Sequence, residues 1–173
     1  MKKTLLSLAI ASLAAGQSVC AAVEKVYNEP DSVYIFSYAH PEDEGRSGLK
    51  FAWSPDGDKW LSVSDGFAYL KCDFGRWGSE KRMIKPLLEK AEDGRWYCRW
   101  QLTPSGKVWG TSHSSDLLKW APQQYVNAEK PAVPRLVTAR QIVLDKDTLN
   151  GYMQKVPYAD IEQLIRFAEH KKF

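Results

Sequence analysis

The chain has 173 residues, 44% of them apolar, 26% charged and 12% aromatic. This is enough for one ordinary domain or slightly more, and the apolar content excludes a disordered chain. Twenty-four Lys and Arg against 21 Asp and Glu leave a formal charge of +3, too weak a bias for a nucleic-acid-binding protein.

Residues 1–22 read as a secretory signal peptide. Lys2 and Lys3 open it, Leu5 to Ala15 is apolar but for Ser7 and Ser12, and Cys20-Ala21-Ala22 supplies small residues for cleavage. The run falls short of the 18 or so apolar residues that a membrane anchor needs. Lipidation of Cys20 is the rival reading, and Gln17-Ser18-Val19 before it fits that poorly. Export to the periplasm or the extracellular space is the expectation. There Cys72 and Cys98 can persist as a disulfide, but their spacing leaves a bridge and two buried thiols both open. His40, His113 and His170 are scattered, and none stands at zinc-ligand spacing from a cysteine.

Residues 23–126 read as an array of short strands. Val33 to Tyr38 is rich in β-formers, and Pro41 to Gly48 is a polar loop. Leu49, Phe51 and Trp53 alternate with Lys50 and Ala52, as a strand with one buried face requires. Ser54-Pro55-Asp56-Gly57 is a turn, because Pro pre-sets φ and Gly tolerates positive φ. Trp60 to Val63, Met83 to Lys90, Trp96 to Leu102 and Lys107 to His113 are further strands, with a turn at Glu92-Asp93-Gly94. Turn signals recurring about every ten residues point to an all-β array.

All seven tryptophans lie between Trp53 and Trp120, and a weak repeat runs through the same span. Ser54-x-Asp56-x-x-Lys59-Trp60 matches Ser114-x-Asp116-x-x-Lys119-Trp120. Self-similarity at a fixed period is a mark of propellers and arrays, whose blades are four-stranded antiparallel sheets. On this reading Asp56 and Asp116 occupy turns and Trp60 and Trp120 open the outermost strands. Two unrelated hairpins sharing turn chemistry are the plainer alternative.

Residues 127–139 read as an Ala- and Pro-containing linker, and residues 140–173 as a hairpin with a C-terminal helix. Arg140 to Leu144 and Gly151 to Val156 form the hairpin around Lys146-Asp147. Pro157 opens the helix, and Ile161, Leu164, Ile165 and Ala168 form one apolar stripe. The expected fold is therefore mainly β: a partial β-propeller of about two four-stranded antiparallel blades, plus a short hairpin and helix.

Residues 31–126 resemble the opening blades of the five-bladed β-propeller glycosidases of the family 43 type. The likeness is carried by Tyr34 to Tyr38, by Gly48-Leu49 through Ala52, Ser54, Asp56-Gly57 and Trp60, and by Ser114-x-Asp116-Leu117-x-x-Trp120. Residues 140–173, with Lys155-Val156-Pro157-Tyr158, look like a segment that follows such blades in secreted arabinosidase-like proteins. The resemblance implies hydrolysis of arabinose- or xylose-containing polysaccharides. One departure stands out. The family's inner-strand motif is Arg-Asp-Pro, and here the residues are Ile84-Lys85-Pro86, a lysine in place of an active-site carboxylate.

Glycoside hydrolysis normally needs two carboxyl groups flanking the bond. Glu42, Asp43 and Glu44 read as a solvated loop; Asp56, Asp116, Glu92 and Asp93 read as turn residues. Asp73 and Glu80 flank the Gly-rich stretch Phe74-Gly75-Arg76-Trp77-Gly78 and are the remaining weak catalytic candidates. No nucleophile elbow, phosphate loop or dinucleotide fingerprint is present, so no cofactor and no metal is implied. Sugar binding needs less, since a sugar ring can stack on an aromatic face. Trp77, with Arg76 beside it, and Trp53 are the candidates; the strand position of Trp53 equally suits a core role. Three readings follow: an incomplete or inactive glycosidase, a non-catalytic module binding a plant-type polysaccharide or oligosaccharide, and a fragment whose open sheet edges pair with another chain that completes the propeller.

Overall fold

The computed structural model describes residues 30–64 and 66–170; the signal-peptide reading lies outside the described residues. The fold is mainly β, with two antiparallel sheets and one C-terminal helix. The strands are β1 (Ser32–Tyr38), β2 (Lys50–Ser54), β3 (Leu61–Ser62), β4 (Ile84–Lys90), β5 (Trp96–Gln101), β6 (Val108–Ser114), β7 (Gln124–Asn127), β8 (Val137–Leu144) and β9 (Asp147–Pro157), followed by helix α1 (Glu162–His170). The second sheet has the order β4-β5-β6-β7, a four-stranded meander of the expected kind.

The first sheet departs from expectation. Its order is β3-β2-β1-β9-β8, five strands rather than four. The β8–β9 hairpin pairs along the whole of β1, from Ser32 opposite Pro157 to Tyr38 opposite Gly151. It is also longer than expected, and its turn is Asp145-Lys146, both at positive φ, the geometry of a two-residue hairpin. Pro157 ends β9, and a 3-10 turn over Tyr158–Asp160 precedes α1. Local patterning reads a strand's existence, but not which distant strand it joins.

Strand β1 serves two cores because successive side chains face opposite ways. Val33 and Ile35 enter the main core between the sheets with Trp96, Cys98 and Trp100. Phe36 and Tyr38 enter a smaller one on the other face with Ile142, Leu144 and Leu149. The predicted stripe of Ile161, Leu164, Ile165 and Ala168 is buried in the main core. Room for the Trp100 indole comes from Gly110 directly across β5–β6, where a Cβ would stand 2.2 Å from the ring. Cys72 and Cys98 are both buried and unbridged.

The junction between the sheets is polar at its centre. Strand β4 is an edge strand, and an edge presents unpaired backbone groups. Two buried side chains of the first sheet meet them. The Ser37 hydroxyl donates to the Pro86 carbonyl at 3.0 Å, and the Gln154 amide donates to the Leu88 carbonyl at 3.4 Å. Pro86 itself carries no N–H to satisfy. Removing the Ser37 hydroxyl leaves a buried carbonyl without its partner, which costs about 1–3 kcal/mol. Ser37→Ala should therefore lower the urea midpoint without changing the slope; an unchanged midpoint would mean that the carbonyl finds another donor.

Candidate functional site

The repeat resolves into one turn built twice. Ser54 Oγ accepts from the Gly57 amide at 2.8 Å and donates to Asp56 Oδ1 at 2.9 Å. Asp56 Oδ1 also accepts from the Asp58 and Lys59 amides, each at 2.9 Å. At the second copy Ser114 Oγ accepts from Leu117 at 2.9 Å, and Asp116 Oδ1 accepts from Leu118 and Lys119 at 2.8 Å. Both aspartates are thus committed to their own backbones, as expected for turn residues. Their tryptophans diverge. Trp60 packs on Phe36 in the smaller core, whereas Trp120 packs against the main core and pairs back to Ser114.

The amides of Lys59 and Asp58 and the Ser54 hydroxyl hold the Asp56 carboxyl at about 2, below its ordinary 3.8. At Asp116 burial pushes upward, but the amides of Lys119 and Leu118 outweigh it and the net direction is down. A depressed carboxyl adds stability at pH values above the ordinary carboxylate range and loses it as the pH falls to the depressed value. The thermal midpoint should fall between about pH 4 and pH 2. Asp56→Asn, which still accepts the amides, should flatten that fall; a curve as steep as wild type would place the acid sensitivity elsewhere.

The loop over residues 71–83 holds four of the five site candidates and engages both of its carboxylates internally. The Tyr125 hydroxyl donates to Asp73 Oδ1 at 2.5 Å, and Gln123 ties the same loop through Lys71 O at 2.7 Å. Burial, then the bond to Asp73, pushes the Tyr125 phenol well above its usual range. Glu80 Oε2 accepts from the Trp77 amide at 2.9 Å, across a short 3-10 turn at Gly78–Glu80. Gly75 is required beneath it, because a Cβ there would meet Glu80 Oε2 at 2.5 Å. Trp77 is 65% exposed, and the Arg76 guanidinium lies 5.4 Å from its ring centroid.

Trp53 is elsewhere. Together with Trp60, Ser62, Asp145 and Glu169 it lines a cleft of about 350 Å³ between the β2–β3 side of the first sheet and α1, within the size range of small-ligand sites. Neither Asp73, Arg76, Trp77 nor Glu80 reaches this cleft. Asp145 and Glu169 give the aromatic cleft two carboxylates that the sequence does not mark, because a hairpin tip and a helix end bring them there. Both are exposed.

No family model matches the chain, and neither curated proteins nor solved structures provide a match. Among the described residues no group of three or more His, Cys, Asp or Glu is arranged to hold a metal ion. No helix among them is long and apolar enough to cross a membrane.

Proposed function

We propose that this is an exported, glycosidase-like protein that binds arabinan- or xylan-type oligosaccharides without cleaving them. The observation that carries this reading is the Trp53–Trp60 cleft, which pairs indole surface with Asp145, Glu169 and Ser62 at its rim. A pyranose or furanose ring can place its C–H face on an indole, while carboxylates and a hydroxyl accept from ring hydroxyls. Lack of cleavage is supported by the two weak catalytic candidates. Asp73 is bonded to Tyr125 and Glu80 to the Trp77 amide, and neither lines the aromatic cleft.

Titration with neutral arabino- and xylo-oligosaccharides should change tryptophan fluorescence, and the same sugars should yield no new reducing ends. Asp145→Asn with Glu169→Gln keeps size and turn geometry and should weaken binding about 10-fold, or ~1.4 kcal/mol. A silent titration would remove the binding reading, and released reducing sugar would restore the enzyme reading.

A specific observation also favours pairing with another chain. Strand β8 is the open edge of the first sheet over eight residues, and Leu136 and Val143 beside and within it are 80% and 66% exposed. Such an edge is a template for strand addition. Size exclusion would separate this reading, since only it requires a stable larger species.

A further inference from the structure

The residue that departs most sharply from the glycosidase pattern, Lys85, is also out of place in the backbone. Ile84 pairs with Gln101 and Leu87 with Arg99, so Lys85 and Pro86 stand together opposite Trp100 in a β-bulge. There Lys85 adopts φ +50, in the left-handed region that favours glycine. A residue before proline is steered towards extended backbone instead, so the conformation is costly twice over. Bulges re-aim side chains, and strained non-glycine residues gather at functional sites. Nothing about the turn itself calls for lysine.

The bulge aims Lys85 outward, to where three clefts adjoin. They measure about 610, 290 and 420 Å³, and Lys85 lines all three. Lys107 and Lys130 share this surface, Lys130 in two of the clefts. Lys85, Lys107 and Lys130 are all exposed, and none has an acidic partner among the described residues. Arg82 is paired with Glu44 at 2.9 Å and Arg140 with Asp58 at 3.7 Å. Glu129 is the one further carboxylate on the lining. In a chain of formal charge +3, three unpaired ammonium groups around one bulge are a local concentration that attracts anions. Gln101, Asn127 and Asn150 supply neutral donors and acceptors between them.

We infer that the surface around Lys85 binds an acidic oligosaccharide, its carboxylate or sulfate groups taken by Lys85, Lys107 and Lys130 and its hydroxyls by the amide side chains. The ligand class rests on the saccharide-binding reading above, whereas the site is separate from the Trp53–Trp60 cleft. Single-stranded nucleic acid suits the surface poorly, because His40 and Tyr152, each on a different cleft, are the only aromatic side chains on the lining of the three clefts and base stacking needs a run of such platforms.

The test uses the whole protein, with galacturonate oligosaccharides as the carboxylate probe, chondroitin sulfate oligosaccharides as the sulfate probe and neutral arabino-oligosaccharides as the control. Calorimetry should show at least one acidic probe binding, more weakly as salt is raised; which of the two binds identifies the anion. Lys85→Gly removes the ammonium and relieves the backbone, so binding of the acidic probe should fall about 10-fold while the thermal midpoint holds or rises. Lys130→Gln, away from the strained position, should weaken the same probe and leave the midpoint unchanged. Failure of both acidic probes to bind overturns the inference, as does binding unchanged in both variants. A lowered midpoint in Lys85→Gly also overturns it, by giving Lys85 a structural role. Loss of the neutral-sugar signal alone would instead remove the Trp53–Trp60 reading.

Discussion

Strand β4 lays one edge against the face of the first sheet, and that edge carries carbonyls which cannot reach water. Ser37 on β1 and Gln154 on β9 supply the donors, and both side chains are themselves buried. In a low-dielectric setting such bonds matter mainly through the cost of leaving them unmade. The arrangement therefore depends on β1 and β9 lying side by side, which joins the two ends of the described chain. The C-terminal hairpin is part of the scaffold for this reason. Without β9 the Leu88 carbonyl loses its donor, and the main core loses Val156 along with the helix that follows.

Around this junction one turn design is used twice with different surroundings. A serine and an aspartate collect the same amides in both copies, and the third residue after the serine takes positive φ. In the first copy that residue is Gly57, against the Tyr34 ring. In the second it is Leu117, fully buried in the main core. The strain of a left-handed leucine is offset by burial of its side chain, which is worth on the order of 1.5–3 kcal/mol. Lys85 also takes positive φ but is exposed, so it lacks that compensation.

The tryptophans divide along the same lines. Trp96, Trp100 and Trp109 are buried, and the first two belong to the main core shared by the two sheets. Trp53 and Trp60 are half-buried at a cleft, so each contributes both to packing and to an accessible aromatic surface. Trp77 is the most exposed of the seven, on a loop whose carboxylates are spent on internal bonds. The Trp53–Trp60 cleft and the lysine surface around Lys85 share no lining residue.

Much of the local structure was legible in the sequence. β-former content placed β1, alternation placed β2, strand-like runs between turn signals placed β5 and β6, turn chemistry explained Asp56 and Asp116, and the 3.6-residue stripe of Ile161 to Ala168 gave α1, because each depends on neighbours within a few residues. The sites were less legible. Trp53 was identifiable as an aromatic strand residue, but Asp145 and Glu169 joined it only through packing, and Lys85 was visible as an unexpected residue without its bulge or its clefts. Sequence by itself determined most of the strands, the turns and the helix, since these follow from backbone preference and periodicity, but it gave no sign of β7 and read the first residues of β8 as linker. Only the tertiary structure decided that β9 completes the first sheet, that Tyr125 engages Asp73, and that Lys85, Lys107 and Lys130 share one surface. Those outcomes depend on pairings between residues far apart in the chain, where burial and hydrogen-bond satisfaction select one partner among many.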